Sequence, residues 1–185
     1  MKKIVILFSF FSLLLSCNNT SELQKSFQCK PQKAMKSDYI SDFNKNFKIK
    51  IPTNWKSNLY YNQFQSDLYA ADTTKQLTDS FILETSFNQG ELVFDDVFFT
   101  KTDSVLTATK LSKINSKTIQ FQKKPAYWYL VTGEKKGFTY HQFNLLVKLS
   151  NTTYFSCNSA IYGENNVSER ICEAISIINS VEFLQ

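Results

Sequence analysis

The residue types best suited to proton transfer are scarce in this sequence. His141 is the only histidine, and histidine is the side chain whose ordinary pKa lies nearest neutral pH. It alternates in phase with Phe143, Leu145 and Val147, which places it on the apolar face of a predicted strand. This position favours a packed, hydrogen-bonded histidine over a catalytic one, because no nucleophile motif or partner acid can be identified for it.

Asp95 and Asp96 are the only adjacent acids. Neighbours on a helix point in different directions and do not form a tight pair, whereas carboxylates in a first helical turn are stabilised by the helix dipole. Nearby aromatic side chains could line a pocket but more often form a core; they are Phe94, Phe98, Phe99, Tyr127, Trp128 and Tyr129. With no phosphate-binding glycine loop, the sequence predicts no catalytic residue, no metal ligand and no cofactor.

Cys17 is the candidate for covalent modification. Lys2 and Lys3 precede an apolar run, Ile4 to Leu15, and the junction Leu-Leu-Ser-Cys ending at Cys17 is typical of a bacterial lipoprotein signal. The run is too short to span a bilayer, which takes about 20 apolar residues. We therefore predict that the Cys17 thiol is lipidated and that cleavage leaves Cys17 as the first residue.

The other cysteines, Cys29, Cys157 and Cys172, then lie in a compartment that permits disulfides. Three thiols allow one bond. The sequence predicts a bond from Cys157 in a strand to Cys172 in the last helix, with Cys29 to Cys172 as the alternative. A redox thiol is disfavoured because there is no Cys-x-x-Cys motif, and no spacing resembles a zinc site.

The formal net charge of +5 falls when Lys2 and Lys3 are removed with the signal. Lysines are concentrated between Ser104 and Gly163, where eight lysines accompany one acid, Glu134. Such a band could attract an anionic surface, but lysines on outward strand faces also keep a sheet soluble and protect its edges. Nucleic acid is not an expected partner in the cell envelope.

Composition divides the chain into three parts. Residues 1–16 form the predicted lipoprotein signal peptide, and residues 17–46 form a lipidated N-terminus with a polar, flexible tether. Around Asp38 to Phe43 the tether could already pack on the body. Residues 47–185 have enough large apolar residues for one domain.

Within the domain, Phe47 to Ile51 alternates as a half-buried strand and stops at Pro52. A hairpin and a strand follow it, and two amphipathic segments are predicted to be helices, Glu91 to Thr109 and Asn166 to Asn179. Between these helices come a lysine-rich strand and an antiparallel meander. The predicted strands of this part of the chain are Leu59 to Phe64, Asp67 to Ala71, Ser80 to Phe87, Lys110 to Gln122, Ala126 to Thr132, Phe138 to Leu149 and Thr153 to Ile161.

This order of elements resembles the PsbP-like family, which includes a photosystem extrinsic subunit, a Ran-binding import factor and small bacterial lipoproteins. The resemblance covers about Phe47 to Phe183 and rests on Ile51-Pro52 with Trp55, on Pro125-Ala126-Tyr127 and on the terminal INSVEF. It implies an α+β fold, an α/β/α sandwich with a central antiparallel sheet. It implies no activity, because the family lacks a shared catalytic motif.

The predicted anchor and a domain without a recognisable catalytic motif together predict a binding or assembly module and not an enzyme. We expect it to be held in the bacterial cell envelope through Cys17, to face the periplasm and to bind an envelope protein. The residues after Cys17 carry no early run of acids of the kind that resembles a surface-export signal. The alternative is a module that binds a small ligand or lipid in a cavity between sheet and helices.

Overall fold

The structure is a computed structural model that describes residues 20–31 and 35–184. The predicted signal peptide and the lipidation site Cys17 lie outside the described residues. The described helices are α1 (Glu22–Ser26), α2 (Asp96–Ala108) and α3 (Val167–Ile178), with a 3₁₀ turn at Leu77–Asp79. The strands are β1 (Ser37–Ser41), β2 (Phe47–Pro52), β3 (Lys56–Tyr61), β4 (Gln65–Ala71), β5 (Ile82–Gln89), β6 (Ser112–Phe121), β7 (Lys124–Lys135), β8 (Phe138–Lys148), β9 (Thr153–Tyr162) and β10 (Glu182–Phe183).

Seven strands form one antiparallel sheet in the order β3-β4-β5-β9-β8-β7-β6. Alternation along each strand gives the sheet two different faces. On β8, Phe143, Leu145 and Val147 point into the main core, while Gln142 and Asn144 lie on the opposite face. We call these the core face and the open face.

The core face is covered by α3 and by a second sheet of order β1-β2-β10. Ile171, Ile175 and Ile178 recur at helical spacing on α3 and are buried. On the small sheet Phe47 and Ile49 are fully buried, and Phe47 packs edge-on against Phe155 of β9. Since α2 lies on the open face, the predicted α+β sandwich is confirmed.

The predicted flexible tether, residues 17–46, is wrong in its described part. Ser21 caps α1, and Leu23 of α1 is only 1% exposed in the core. Further along, β1 pairs antiparallel with β2 from Ser37 to Ser41, in line with the expectation that the chain packs on the body around Asp38 to Phe43. Composition did not predict this ordered structure, because the segment is polar and has no apolar run. It is held by one buried leucine, by a disulfide at Cys29 and by the pairing of β1 with β2.

The two ends of the large sheet carry different turns. One end holds the β3–β4, β6–β7 and β8–β9 turns, and we call it the Lys123 end. The other holds the β7–β8 turn, and we call it the Gly137 end. Both residues of each two-residue turn, Gln122-Lys123 and Lys136-Gly137, have positive φ, as hairpin turns that match strand twist require.

Candidate functional site

The open face carries a polar row across four neighbouring strands. Asn144 of β8 lies opposite Asn158 of β9, and Asn158 lies opposite Glu84 of β5. Glu84 in turn lies opposite Tyr69 of β4. We call these four residues the polar row; polar side chains in mid-sheet are costly to bury unless their hydrogen bonds are made.

Glu84 is the centre of the polar row. Its Oε1 accepts a hydrogen bond from the Tyr69 hydroxyl at 2.7 Å, and its Oε2 accepts one from Asn158 Nδ2 at 3.0 Å. Burial, and then the hydrogen bond to Glu84, raise the pKa of Tyr69 well above its usual range. Because both carboxylate oxygens accept hydrogen bonds from protein donors, the Glu84 side chain is held in one orientation and orients Tyr69 and Asn158.

The row continues along β8 towards the Gly137 end. Tyr140 donates to Gln142 Oε1 at 2.9 Å, and Gln142 Nε2 donates to Asn144 Oδ1 at 3.0 Å. Burial raises the pKa of Tyr140 to about 12, so this hydroxyl stays protonated at neutral pH. Tyr140, Gln142 and Asn144 thus form a continuous series of hydrogen-bonded side chains on the open face of β8.

Helix α2 stands beside the polar row. Asp95 accepts a hydrogen bond from the Phe98 amide at 2.8 Å and so starts the helix, which is why the predicted helical segment from Glu91 is a loop until Asp95. Beneath the first turns, Phe94 and Phe98 pack against Tyr127 of β7, with ring centroids 6.0 and 5.8 Å away. These aromatic contacts fix α2 over β6 and β7.

A cleft of about 350 Å³ lies between α2 and the open face of strands β7, β8 and β9. Its floor is Tyr129, Leu146 and Tyr154, from three adjacent strands. The remaining lining residues come from α2 and the loop before it: Glu91, Leu92, Phe98, Lys101, Thr102, Val105 and Leu106. We call this the α2 cleft. It is apolar in its floor, and Tyr129 lies directly opposite Asn144 of the polar row.

The structure divides the aromatic residues that the sequence singled out. Phe94, Phe98, Phe99, Tyr127 and Tyr129 gather beneath and beside α2. Trp128 alternates to the core face, where it is 1% exposed and its ring centroid is 4.7 Å from that of Phe27. The core interpretation thus holds for Trp128, whereas Phe98 and Tyr129 line the cleft.

His141 lies on the core face near the Gly137 end, away from the polar row. Burial, and then the nearby Arg170 guanidinium, lower the pKa of His141, while Glu164 opposes that shift. Arg170 is itself only 4% exposed, and it donates to four backbone carbonyls, with the shortest bonds to Asn165 and Ser80 at 2.6 and 2.8 Å. His141 is therefore packed as predicted, but the predicted hydrogen bond is not made, because its Nδ1 is buried without a hydrogen-bond partner.

The cysteine pairing differs from the first expectation. Cys29 is bonded to Cys172, with Cα atoms 5.4 Å apart, and Cys157 is a free, buried thiol. The predicted Cys157–Cys172 bond is therefore wrong, and its alternative is the one observed. Cys172 lies on the flank of α3, where residues 27–29 pass, whereas Cys157 is enclosed in the core and burial raises its pKa.

Sequence reasoning missed the polar row. Its available signal was the alternation of Gln142 and Asn144 with large apolar residues on β8, which indicates a polar face. The partners Glu84 and Tyr69 come from strands whose pairing order no local pattern encodes. Within residues 20–31 and 35–184, no group of three acidic, histidine or cysteine side chains is placed to hold a metal ion, and no helix has the length and apolarity to cross a bilayer.

Comparison with known proteins identifies the fold. No family model matches the sequence, and no curated protein is detectably similar to it. Among solved structures, cyanobacterial PsbP (CyanoP) from Synechocystis sp. PCC 6803 superposes with a TM-score of 0.59 at 11% identity, over 84% of this chain and 96% of that one.

Two further structures are similar at 10% identity. The Ran-binding protein Mog1p of Saccharomyces cerevisiae has a TM-score of 0.53, over 82% of this chain and 97% of its own. A protein from Bacteroides thetaiotaomicron also has a TM-score of 0.53, over 83% of this chain and 50% of that longer one. The chain has the PsbP-like fold.

Proposed function

We propose that this protein is a lipid-anchored module of the bacterial cell envelope that faces the periplasm and binds an envelope protein through the α2 cleft. The anchor is the acylated Cys17 that the junction at residues 14–17 predicts. The cleft is the observation that carries the binding role. It combines an apolar floor with fixed polar groups alongside, which is the composition of recognition sites.

The arrangement of the site favours binding over catalysis. A hydrolase of this size needs a nucleophile or a water activated by a nearby base. His141 is on the other face of the sheet, Glu84 is occupied by two donors, and Asp95 caps α2. A protein of similar fold, Mog1p, is by its name a Ran-binding protein, which also supports a binding role. We therefore infer that the protein is not an enzyme.

A second candidate function uses the same cleft. A volume of about 350 Å³ floored by Tyr129, Leu146 and Tyr154 is within the range of small-molecule sites. An apolar ligand or lipid chain could lie against this floor, with its polar end towards Asn144. The two candidates differ in the occupant and agree on the lining residues.

In-cell photo-crosslinking separates the candidates. A photo-reactive amino acid replaces Lys101, which lines the cleft, in the full chain expressed in its own cells. The matched control places it at Val97, which is 75% exposed on the same helix outside the lining. We expect a protein adduct from position 101 that position 97 does not give. Cys17→Ala should lose the acyl mass and weaken the adduct, because the unanchored domain leaves the membrane.

Val105→Arg tests the cleft directly. Val105 is 53% exposed and lines the cleft, so arginine there fills the opening without disturbing the core. We expect this variant to abolish the adduct, while Val97→Arg leaves it intact. A lipid or small molecule that copurifies with the native chain and is lost only in Val105→Arg would favour the second candidate. Equal adducts from both positions, unaffected by Val105→Arg, would refute a role for the cleft.

A further inference from the structure

The length of the chain limits how far the proposed lipid anchor, Cys17, can lie from the folded domain. Cys17 is four residues before Ser21, and four extended residues span at most about 14 Å. Ser21 is fixed to the body: its hydroxyl accepts hydrogen bonds from Gln24 N at 3.1 Å and from Asn179 Nδ2 at 2.9 Å. Burial of Leu23 and the bond from Cys29 to α3 prevent this segment from lengthening the tether.

Ser21 lies at the Lys123 end of the sheet. It lies beside Gln120 and Gln122, at the end of β6, and beside Asn179, at the C-terminal end of α3. Any bilayer that holds the acyl chains is therefore about 14 Å or less from this end, measured from Ser21. The opposite Gly137 end is a full strand length away, since the 11 residues of β8 span about 37 Å.

The same end carries a cluster of exposed aromatic rings. Phe43, Tyr61 and Phe64 are 52%, 59% and 61% exposed, and the rings of Phe43 and Tyr61 stack with centroids 3.8 Å apart. Asp42 holds the loop that presents Phe43, because its Oδ1 accepts from the Phe47 amide at 2.9 Å. Solvent-exposed rings grouped in this way mark an interaction surface.

The aromatic cluster and the anchor lie on opposite sides of one end. The cluster is at the β3 edge and Ser21 is beside β6, and six strand spacings separate those edges by about 29 Å. Exposed Lys45 lies next to Phe43 in its loop, and exposed Lys123 forms the turn near Ser21. Exposed acids also lie towards this end: Glu22, Glu91, Asp95 and Asp96 at the start of α2, and Glu182, which is paired with Lys48. Aromatic rings with lysines are the pairing that proteins place at the interface of a bilayer.

We propose that the Lys123 end docks on the bilayer that holds the acylated Cys17, with Phe43, Tyr61 and Phe64 in the headgroup region. This inference rests on the proposed lipid anchor and adds an orientation to it. The short attachment determines which end can reach the membrane, and the rings supply a second contact about 29 Å away. Two contacts on one end hold the strands upright on the membrane.

Depth-dependent quenching tests the orientation. An environment-sensitive fluorophore is attached to the acylated protein through the new cysteine of Phe64→Cys. The control variant is Phe138→Cys at the Gly137 end, where the native ring is 42% exposed. Native thiols do not compete, because Cys157 is buried and the others are acylated or bonded. Vesicles contain phosphatidylethanolamine and phosphatidylglycerol with or without nitroxide-bearing lipid. Intact mass and vesicle flotation report acylation and attachment separately.

We expect nitroxide lipid to cause loss of fluorescence at position 64 and none at position 138. Replacing the two stacked rings, Phe43→Ser with Tyr61→Ser, should reduce the loss at position 64 while flotation persists. Floating, acylated protein with equal quenching at both positions, or with none at 64, would overturn the docking and leave the anchor intact. A chain without acyl mass that fails to float would overturn the anchor, and the docking with it.

Discussion

The bond between Cys29 and Cys172 closes a loop of 143 residues, and its removal is the most informative perturbation of stability. The chain-entropy relation for a loop of that length gives about 5 kcal/mol of stabilisation. Domains of this size are stable by only about 5–15 kcal/mol, so this is a large share. We expect the Cys29→Ser, Cys172→Ser double variant to lose up to that amount and to expose residues 20–31, since an isolated five-residue helix such as α1 is unstable.

Urea unfolding, followed by tryptophan fluorescence, measures this loss. With a slope of about 1–3 kcal/mol per M, the full loss would lower the midpoint of the double variant by roughly 2–5 M relative to the oxidised native chain. Cys157→Ala is the control; it leaves the loop closed and removes only a small buried side chain, so its midpoint should fall by much less. A peptide map that recovers Cys157 in the disulfide, or a double variant with an unchanged midpoint, would refute the assignment.

Substitutions at three further positions probe the Gly137 end of the sheet. Arg170→Met should lower the free energy of unfolding by about 3 kcal/mol in urea titrations, because four buried carbonyls lose a charged donor. Arg170→Lys should not restore this free energy, since one ammonium group cannot reach all four carbonyls. Folding lowers the pKa of His141, so the imidazole binds a proton more tightly in the unfolded chain than in the folded one. The free energy of unfolding should therefore fall as the pH drops below about 6.5, and His141→Gln should reduce that fall. Gly133→Ala would bring a Cβ within 2.7 Å of Leu111 Cδ2 and 2.9 Å of the Lys110 carbonyl oxygen, so its melting temperature should drop by several degrees, an effect of about 1–3 kcal/mol.

Alternation and helical periodicity were sufficient to predict most of the domain. The spacing of Ile171, Ile175 and Ile178 predicts the buried face of α3, and Phe143, Leu145 and Val147 predict the core face of β8. Both signals are local, because each residue's neighbours along the chain determine which side it occupies. The α/β/α sandwich that these elements form was implied by the resemblance of their order to the PsbP-like family, and not by the spacing within any one element.

The candidate site could not be predicted in the same way. Glu84 meets Tyr69 and Asn158 only because β5 lies between β4 and β9, and that order depends on pairing between distant strands. The disulfide depends on how closely the N-terminal segment passes α3. For Cys29 this approach follows the packing of Phe27 on Trp128, which involves residues about a hundred positions apart.

Under the proposed anchor and docking, the disulfide and the cleft are connected through the height of the domain above the membrane. Tyr154, part of the cleft floor, is the second residue of β9 from the Lys123 end, so it lies within about 7 Å of the end that we propose to dock. A docked domain therefore offers its cleft to groups at the membrane surface. Without the disulfide, detachment of residues 20–31 would lengthen the attachment to the nineteen residues between Cys17 and β1, a flexible span of about 25 Å. Under the proposed docking, the domain would then move away from the bilayer surface, and the cleft would lie farther from groups at the membrane. The proposed anchor and docking therefore predict that loss of the Cys29–Cys172 bond changes which partners reach the cleft, in addition to lowering the stability of the fold.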